Sequence, residues 1–310
     1  MGRKLREIFG ELISPDTAVL PAPLKLPPSG TPRLFRSDAP DGDQKLGFVS
    51  RLIVTTTLPH SKPCDAEFTR HSGLYDLCLL APRRIGLPYG RYPRLALAWM
   101  ITEAVRTKAP LLRPAPSLSR FASQIGITPS TGAKGTLTQL RDQLLRLVNL
   151  TVLCLDAPAH PSPQALPSAF RGGGVHLVTC YRLWWDQPAP DDPEPFILLS
   201  RDFVDEVLAH PIPIDLNVIR NLRSSLEMDV YMWLTYRSVR SCRLGRPETI
   251  PWPALQRQFG ADYADLRVFR FHFLRAVKKI LDVYPEIRLR NTPGGLVVLP
   301  FPPHILPAPR

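Results

Sequence analysis

The chain carries one series of predicted elements twice, and this repeat limits the folds that it can adopt. Within residues 117–156, a short amphipathic segment, a Gly/Ser/Thr-rich turn and a longer amphipathic segment lead into the strand-like TVLCLD. Residues 251–300 repeat this order and end in a strand, a Pro-Gly-Gly turn and a second strand. A long helix is predicted before each copy, at 92–108 and at 224–242. This order is typical of a winged helix-turn-helix, so the sequence predicts an α+β fold with two tandem winged helix-turn-helix domains.

Length and proline content predict how the chain is divided. A chain of 310 residues can bury two ordinary domain cores, and its 36 prolines are about twice the usual share. The prolines cluster at 21–32, 157–167 and 187–195, which we interpret as connectors and loops. We expect a partly irregular, partly disordered N-terminal arm, two winged-helix domains and a short tail, in the order 1–73, 74–195, 196–304 and 305–310.

Three local predictions can be compared with the structure. Within the arm, residues 1–12 have the pattern of a short amphipathic helix, and RLIVTTTL at 51–58 has the composition of a strand. In the first domain, TVLCLD is expected to pair with 175–185 across the long loop at 157–174. That loop is either a wing tip or a disordered Pro-rich insert.

The positive charge of the chain is concentrated in one part. The formal net charge is +12, and residues 237–290 contain twelve Lys/Arg against five Asp/Glu, which gives +7 in this stretch alone. A local excess of this kind favours binding to double-stranded DNA, although a solvated basic face without a ligand remains the alternative.

The sequence lacks the patterns of catalytic, cofactor and metal sites. The five cysteines form no CxxC pair and have no zinc-ligand spacing with the seven histidines. GxSxG, HExxH, GxxxxGK[ST] and HxH are absent, and no apolar run is long enough to span a bilayer. We therefore expect a cytoplasmic protein that is not an enzyme and has no metal, no cofactor and no membrane contact.

The longer helix of the second copy, within 264–282, divides into two faces. Its apolar positions, which we predict to be core, are Leu266, Phe269, Phe273, Val277 and Ile280. The DNA contacts predicted on the rest of the helix are Arg267, Arg270, Phe271, Arg275, Lys278 and Lys279. For Phe271 two roles stay open, contact with thymine methyl groups or packing against the neighbouring domain.

Basic residues on either side of this helix extend the predicted interface. Arg288 and Arg290 alternate with apolar residues on the first wing strand and are expected to contact the minor groove or the backbone. Arg240 and Arg243 lie at the end of the long helix before the second copy. They form either a phosphate-contacting strip or a structural cap on the helix dipole.

The corresponding helix of the first copy has a nearly neutral polar face. The predicted contacts there are Lys134, Thr138, Gln139, Gln143 and Arg146. Gln and Thr can contact base edges, but this face lacks the charge of the second copy. A protein–protein role such as dimerisation is the open alternative.

At this level of detail the chain resembles a known family. Residues 84–108, 117–127 and 131–148, and then 211–237 and 250–281, resemble the RepA-type plasmid replication initiators of Gram-negative bacteria. The similarity runs over about 74–304. The turn TPSTGAKGT departs from the more basic, aromatic GGRWG-like turn of the family, which places the DNA contribution of the first copy in doubt.

The resemblance implies a theta-type replication initiator. Such a protein binds repeated sites (iterons) at the plasmid origin as double-stranded DNA, opens nearby A·T-rich DNA and helps the host initiator and the replicative helicase to load. It also implies two winged-helix domains, of which the C-terminal one makes most of the DNA contact. We further expect a homodimer in equilibrium with a monomer, and autoregulation of its own gene as an additional role. A tandem winged-helix transcriptional repressor without a replication role, and a protein-interaction scaffold, are the alternatives.

Overall fold

The computed structural model describes residues 45–72, 75–156, 172–183, 194–260 and 263–305. The predicted helix at 1–12 and the loop at 157–171 lie outside the described residues. Within them, the fold is mixed α+β with four small antiparallel sheets. The helices are α1 Arg51–Thr56, α2 Arg91–Thr107, α3 Leu118–Gln124, α4 Thr136–Val148, α5 Arg201–Ala209, α6 Leu216–Asn221, α7 Ser225–Leu244, α8 Trp252–Phe259 and α9 Leu266–Leu281. The strands are β1 Leu46–Ser50, β2 Glu67–Ser72, β3 Tyr75–Leu80, β4 Leu111–Leu112, β5 Thr151–Asp156, β6 Gly172–His176, β7 Val178–Arg182, β8 Phe196–Leu199, β9 Pro211–Asp215, β10 Glu248–Pro251, β11 Leu289–Asn291 and β12 Gly295–Val298.

The first copy consists of α2, α3 and α4 followed by the pair β5–β6. Two further strands extend this pair into a sheet of order β2-β3-β5-β6. The predicted ribbon is confirmed for Val175 and His176 only, which lie opposite Val152 and Thr151, and β6 begins earlier, at Gly172. Beyond His176 the chain passes from this sheet to another at the buried Leu177. The N–H of Leu177 donates to Leu150 O, and its carbonyl oxygen accepts from Ser200 N. The next strand, β7, therefore pairs with β8 instead of extending the ribbon.

The second copy consists of α7, β10, α8, α9 and the pair β11–β12, in a sheet of order β10-β12-β11. Local sequence explains its boundaries. Ser224 and Glu227 form a capping box at the start of α7, and Gly245 ends that helix in the left-handed region at φ 62°. In the turn between β11 and β12, Thr292 Oγ1 donates to Gly295 O at 2.7 Å.

Part of the predicted arm belongs to the folded body. Strand β1 pairs antiparallel with β9, and β2 pairs with β3, so residues 45–72 lie within the structure. The strand predicted at 51–58 is wrong, because 51–56 form the helix α1. The Ser50 side chain accepts from Ile53 N at its start, and Leu52 and Val54 are buried. Burial against α7 has overridden the preference of β-branched residues for strands.

A buried ion pair connects the two copies. Arg94 of α2 and Asp229 of α7 are almost fully buried, and their side chains meet at 2.7 Å through two hydrogen bonds. His60 Nε2 lies 2.8 Å from the second carboxylate oxygen. The guanidinium also donates to backbone carbonyl oxygens, those of Leu58, Pro59 and Gly90. Both carboxylate oxygens of Asp229 therefore have hydrogen-bond partners, and the Arg94 charge balances the Asp229 charge.

This arrangement predicts an acid-sensitive contribution to stability. Burial by itself would raise the pKa of Asp229, but the Arg94 charge, the Arg94 hydrogen bonds and His60 together hold it below its ordinary value of 3.8. A carboxylate with a depressed pKa stabilises the fold above its ordinary pKa, and this contribution is lost as the pH falls below that value. We expect Asp229→Asn to lower the free energy of unfolding by about 3–5 kcal/mol at neutral pH, since it leaves the Arg94 charge unpaired.

Urea unfolding of wild type and Asp229→Asn at several pH values checks this expectation. Asp65→Asn, at an exposed loop position, is the matched control and should change stability by less than about 0.5 kcal/mol. A loss below 1 kcal/mol in Asp229→Asn would show that the pair does not hold the two copies together.

Candidate nucleic-acid interface

Helix α9 is held with one face inside the second copy and the other outside. Asp265 caps its first turn, because Asp265 Oδ1 accepts from Arg267 N at 2.6 Å. The buried positions of the helix are Phe269, Phe273, Ala276, Val277 and Ile280. Four of the five predicted core positions are therefore confirmed, and the fifth, Leu266, is half-buried.

An aromatic cluster fixes the rotation of α9 about its own axis. The ring of Phe273 lies 5.6–6.2 Å from the rings of four neighbours, three of which belong to α7 or α8. These four are Trp233, Trp252, Phe259 and Phe269. Because all five rings are buried and meet in edge or tilted geometries, the helix cannot turn without separating several favourable contacts.

The opposite face of α9 presents cations and apolar side chains to solvent. The Arg267 side chain is 93% exposed and lies 3.4 Å from Asp265. Arg275 and Lys278 are exposed, and no carboxylate within the described ranges lies within ion-pair distance of either. Phe271 is 62% exposed, so it does not pack against the neighbouring domain within the described chain. Val268, 47% exposed, belongs to the same face and was not among the predicted contacts, although its position three residues before Phe271 indicates it.

Arg270 connects this helix to the wing strands. One of its Nη atoms donates to Asn291 Oδ1 at 2.8 Å, and its guanidinium lies 5.0 Å from the centre of the Trp252 ring. Arg290 in β11 and Arg288 just before it are both exposed, as predicted for a basic wing. Arg270 is therefore a positioning residue between α9 and the wing more than a free cation.

Two other predicted contacts are engaged within the second copy. Lys279 Nζ forms a short ion pair with Glu227, the capping residue of α7. Arg240 Nε lies 2.8 Å from Glu248 Oε1. Glu248 also pairs with Arg237 at 3.1 Å, and burial lowers the pKa of the Arg237 guanidinium. This bridge from the end of α7 to β10 supports the structural alternative for Arg240. Arg243 lies in α7, but its side chain is outside the described part.

The predicted contacts of the first copy are mostly satisfied internally. Gln143 is only 4% exposed, and its Oε1 accepts from Tyr89 N at 2.8 Å, so this residue does not reach the surface. Arg146 pairs with Asp142 at 2.8 Å and lies over the Tyr89 ring. Thr138 and Gln139 donate to backbone oxygens in the turn before the helix, those of Gly132 and Lys134. The side chain of Lys134 is exposed.

Within the described ranges, no group of three or more His, Cys, Asp or Glu is placed so that it could hold a metal ion. None of the helices in the same ranges is long and apolar enough to cross a membrane.

The contacts of Arg270 predict that two arginines of one helix differ in their effect on stability. Arg270→Ala removes a hydrogen bond to the wing and a cation–π contact, so we expect it to lower the free energy of unfolding by about 1–2 kcal/mol. Arg267→Ala, the matched control on the exposed side, should lower it by less than about 0.5 kcal/mol. Chemical denaturation of both variants measures the difference, and equal losses would contradict a positioning role for Arg270.

Comparison with known proteins places the chain in a family. Among solved structures, two crystal structures of domains 2 and 3 of RctB are similar, at 12% and 13% sequence identity and a TM-score of 0.48 in each case. The first match covers 78% of this chain and 87% of the other, and the second 79% and 94%. No curated protein matches the sequence. Residues 87–252, more than half of the chain, match the family model described as plasmid encoded RepA protein. The chain therefore belongs to the RepA family of plasmid-encoded replication initiators, which are DNA-binding proteins.

Proposed function

We propose that this protein initiates plasmid replication by binding repeated sites at the plasmid origin, and that α9 is its main DNA-contacting element. One observation carries the proposal: an aromatic cluster holds the buried face of α9, while its other face presents Arg267, Arg275 and Lys278 to solvent. Long cationic donors on a rigid helix suit contacts to phosphates and to guanine edges. Membership of the initiator family supports the same function.

The element order supports a winged helix-turn-helix in the second copy. Helices α8 and α9 follow each other directly in the element order, and β11 and β12 form the hairpin after α9. In such a domain the second of the two helices enters the major groove. The first copy has the same order of helices, although its pair β5–β6 belongs to a larger sheet of order β2-β3-β5-β6. We interpret it as a second, modified winged helix.

In this proposal the exposed cations of α9 and of the wing contact different parts of the DNA. Arg267 and Arg275 would reach base edges or the phosphates beside them, and Lys278, in the last turn, would reach the phosphate backbone. Arg288 and Arg290 flank the groove from the wing. The first copy, whose polar side chains are mostly engaged, contributes a weaker DNA contact or a dimer contact.

Three finer features of the proposal derive from the family resemblance. We propose that the repeated sites are iterons, that binding promotes opening of A·T-rich DNA, and that the host initiator and helicase are recruited there. The protein would act in the cytoplasm without catalytic activity, and a monomer–dimer equilibrium would control it.

Footprinting on DNA flanking its own gene tests the function. We expect evenly spaced protection of direct repeats beside A·T-rich DNA, with weaker protection at higher salt. Protection of one inverted repeat over the promoter, and of no other site, would identify a repressor instead. No protection at either of two salt concentrations would exclude DNA recognition as the main activity.

The exposed cations predict a specific change in salt dependence. Arg275→Ala and Lys278→Ala should each weaken binding to origin DNA, and each lost phosphate contact should reduce the slope of log K against log salt by about 0.9. If Arg275 contacts a base, its loss should also cost about 1–3 kcal/mol of discrimination against a changed base pair. Gel-shift titrations at three salt concentrations provide the measurement.

Arg240→Ala is the control for this series. Because Arg240 is bound to Glu248, its removal should leave the salt slope unchanged. Unchanged affinity and slope in both Arg275→Ala and Lys278→Ala would overturn the assignment of α9.

A further inference from the structure

The two most exposed large apolar side chains of the described chain lie next to each other on α9. Phe271 is 62% exposed and Val268 is 47% exposed. Residues three apart on a helix share one face, with about 5–6 Å between their Cβ atoms. Together they form a continuous apolar surface in the first half of the helix, and we call this surface the apolar step.

A series of ring contacts connects the apolar step to the domain core. Phe271 contacts the edge of the His272 ring at 5.4 Å, and His272 stacks on Tyr263 at 5.1 Å with an angle of 26° between the rings. Tyr263 in turn packs against the buried Phe269 at 6.0 Å. Through His272 and Tyr263, these contacts connect Phe271 to the aromatic core of the domain, while most of the Phe271 side chain is exposed to solvent.

Cations border the apolar step on both sides. Arg267 precedes Phe271 by four residues and Arg275 follows it by four, so one exposed guanidinium lies about one helical turn away in each direction. An apolar surface between two cations matches a ligand with apolar groups between negative charges. The major groove offers this arrangement, because the C5 methyl groups of thymine lie between two phosphate backbones.

We propose that the apolar step recognises thymine methyl groups in the major groove, and so contributes to the choice of DNA sequence. This inference rests on the proposed function and specifies what its main helix recognises. Val268 and Phe271 lie in the first half of α9, and the N-terminal part of a recognition helix contacts base edges. Their separation along the helix axis is about 4.5 Å, which is comparable to the roughly 3.4 Å between successive nucleotides of one strand, so the two side chains reach methyl groups of neighbouring base pairs.

Replacing thymine by uracil tests the proposal, because uracil lacks only the methyl group. The probe is the origin fragment protected in the footprint, amplified with dTTP or with dUTP. Wild type should bind the uracil fragment about three- to fourfold more weakly for each methyl contacted, as the burial of one such group predicts. Phe271→Ala and Val268→Ala should each lose part of the preference, Phe271→Ala the larger part, and the double variant should bind the two fragments with nearly equal affinity.

Two further variants make the result specific. Phe271→Leu keeps an apolar side chain and should retain part of the preference for thymine. Val283→Ala changes an exposed valine outside α9 and should retain all of it. Single thymine-to-uracil changes in one repeat then identify which base pairs supply the methyl groups.

The outcomes separate this inference from the proposed function. Equal binding of both fragments by wild type, or an unchanged thymine preference in Phe271→Ala, overturns methyl recognition and leaves DNA binding intact. The latter result with normal DNA affinity would mean that the apolar step is a contact for another protein. If folded wild type protects no fragment in the footprint, the proposed function itself is overturned.

Discussion

The buried ion pair between Arg94 and Asp229 is the contact on which the relation between the two copies depends. It joins α2 to α7, and through the carbonyl oxygens bound by Arg94 it also fixes the segment that follows α1. Removing two charges from water is costly, and the fold tolerates it because both partners are fully hydrogen-bonded in good geometry. Strand β1 adds a second connection, since it pairs with β9 while Phe48 N donates to Thr102 Oγ1 of α2.

With the two copies fixed, the position of the DNA-contacting helix depends on aromatic packing. The ring of Phe273 meets neighbours from α7, α8 and α9, so all three helices of the second copy share one contact. Carboxylates on nearby elements then decide which cations remain available. Glu227 binds Lys279, and Glu248 binds Arg237 and Arg240, whereas Arg275 and Lys278 remain exposed. The interface is thus smaller than the local excess of basic residues in the sequence indicates.

Periodicity predicted most of the helices, since each buried face repeats near 3.6 residues and is flanked by recognisable caps and turns. The helices α2, α7, α8 and α9 and the hairpin β11–β12 were predicted in place. Prediction failed at α1 and at Leu177, where burial against distant elements determines the backbone. The expected exposure of Gln143 was also wrong, because helical spacing does not show that the backbone N–H of Tyr89 binds that side chain in the interior.

The sequence by itself determined the element order, the amphipathic faces of the long helices and the concentration of positive charge around α9, because these depend on local spacing and composition. The tertiary structure alone decided which charges are neutralised and which side chains stay exposed. Glu227 is more than fifty residues from Lys279 along the chain, and Arg94 is more than one hundred and thirty from Asp229. Such pairs form only when the fold brings distant segments together. Helical spacing already placed Phe271 outside the apolar face, and the aromatic contacts of Phe273, which orient the helix, keep that side chain exposed in the fold.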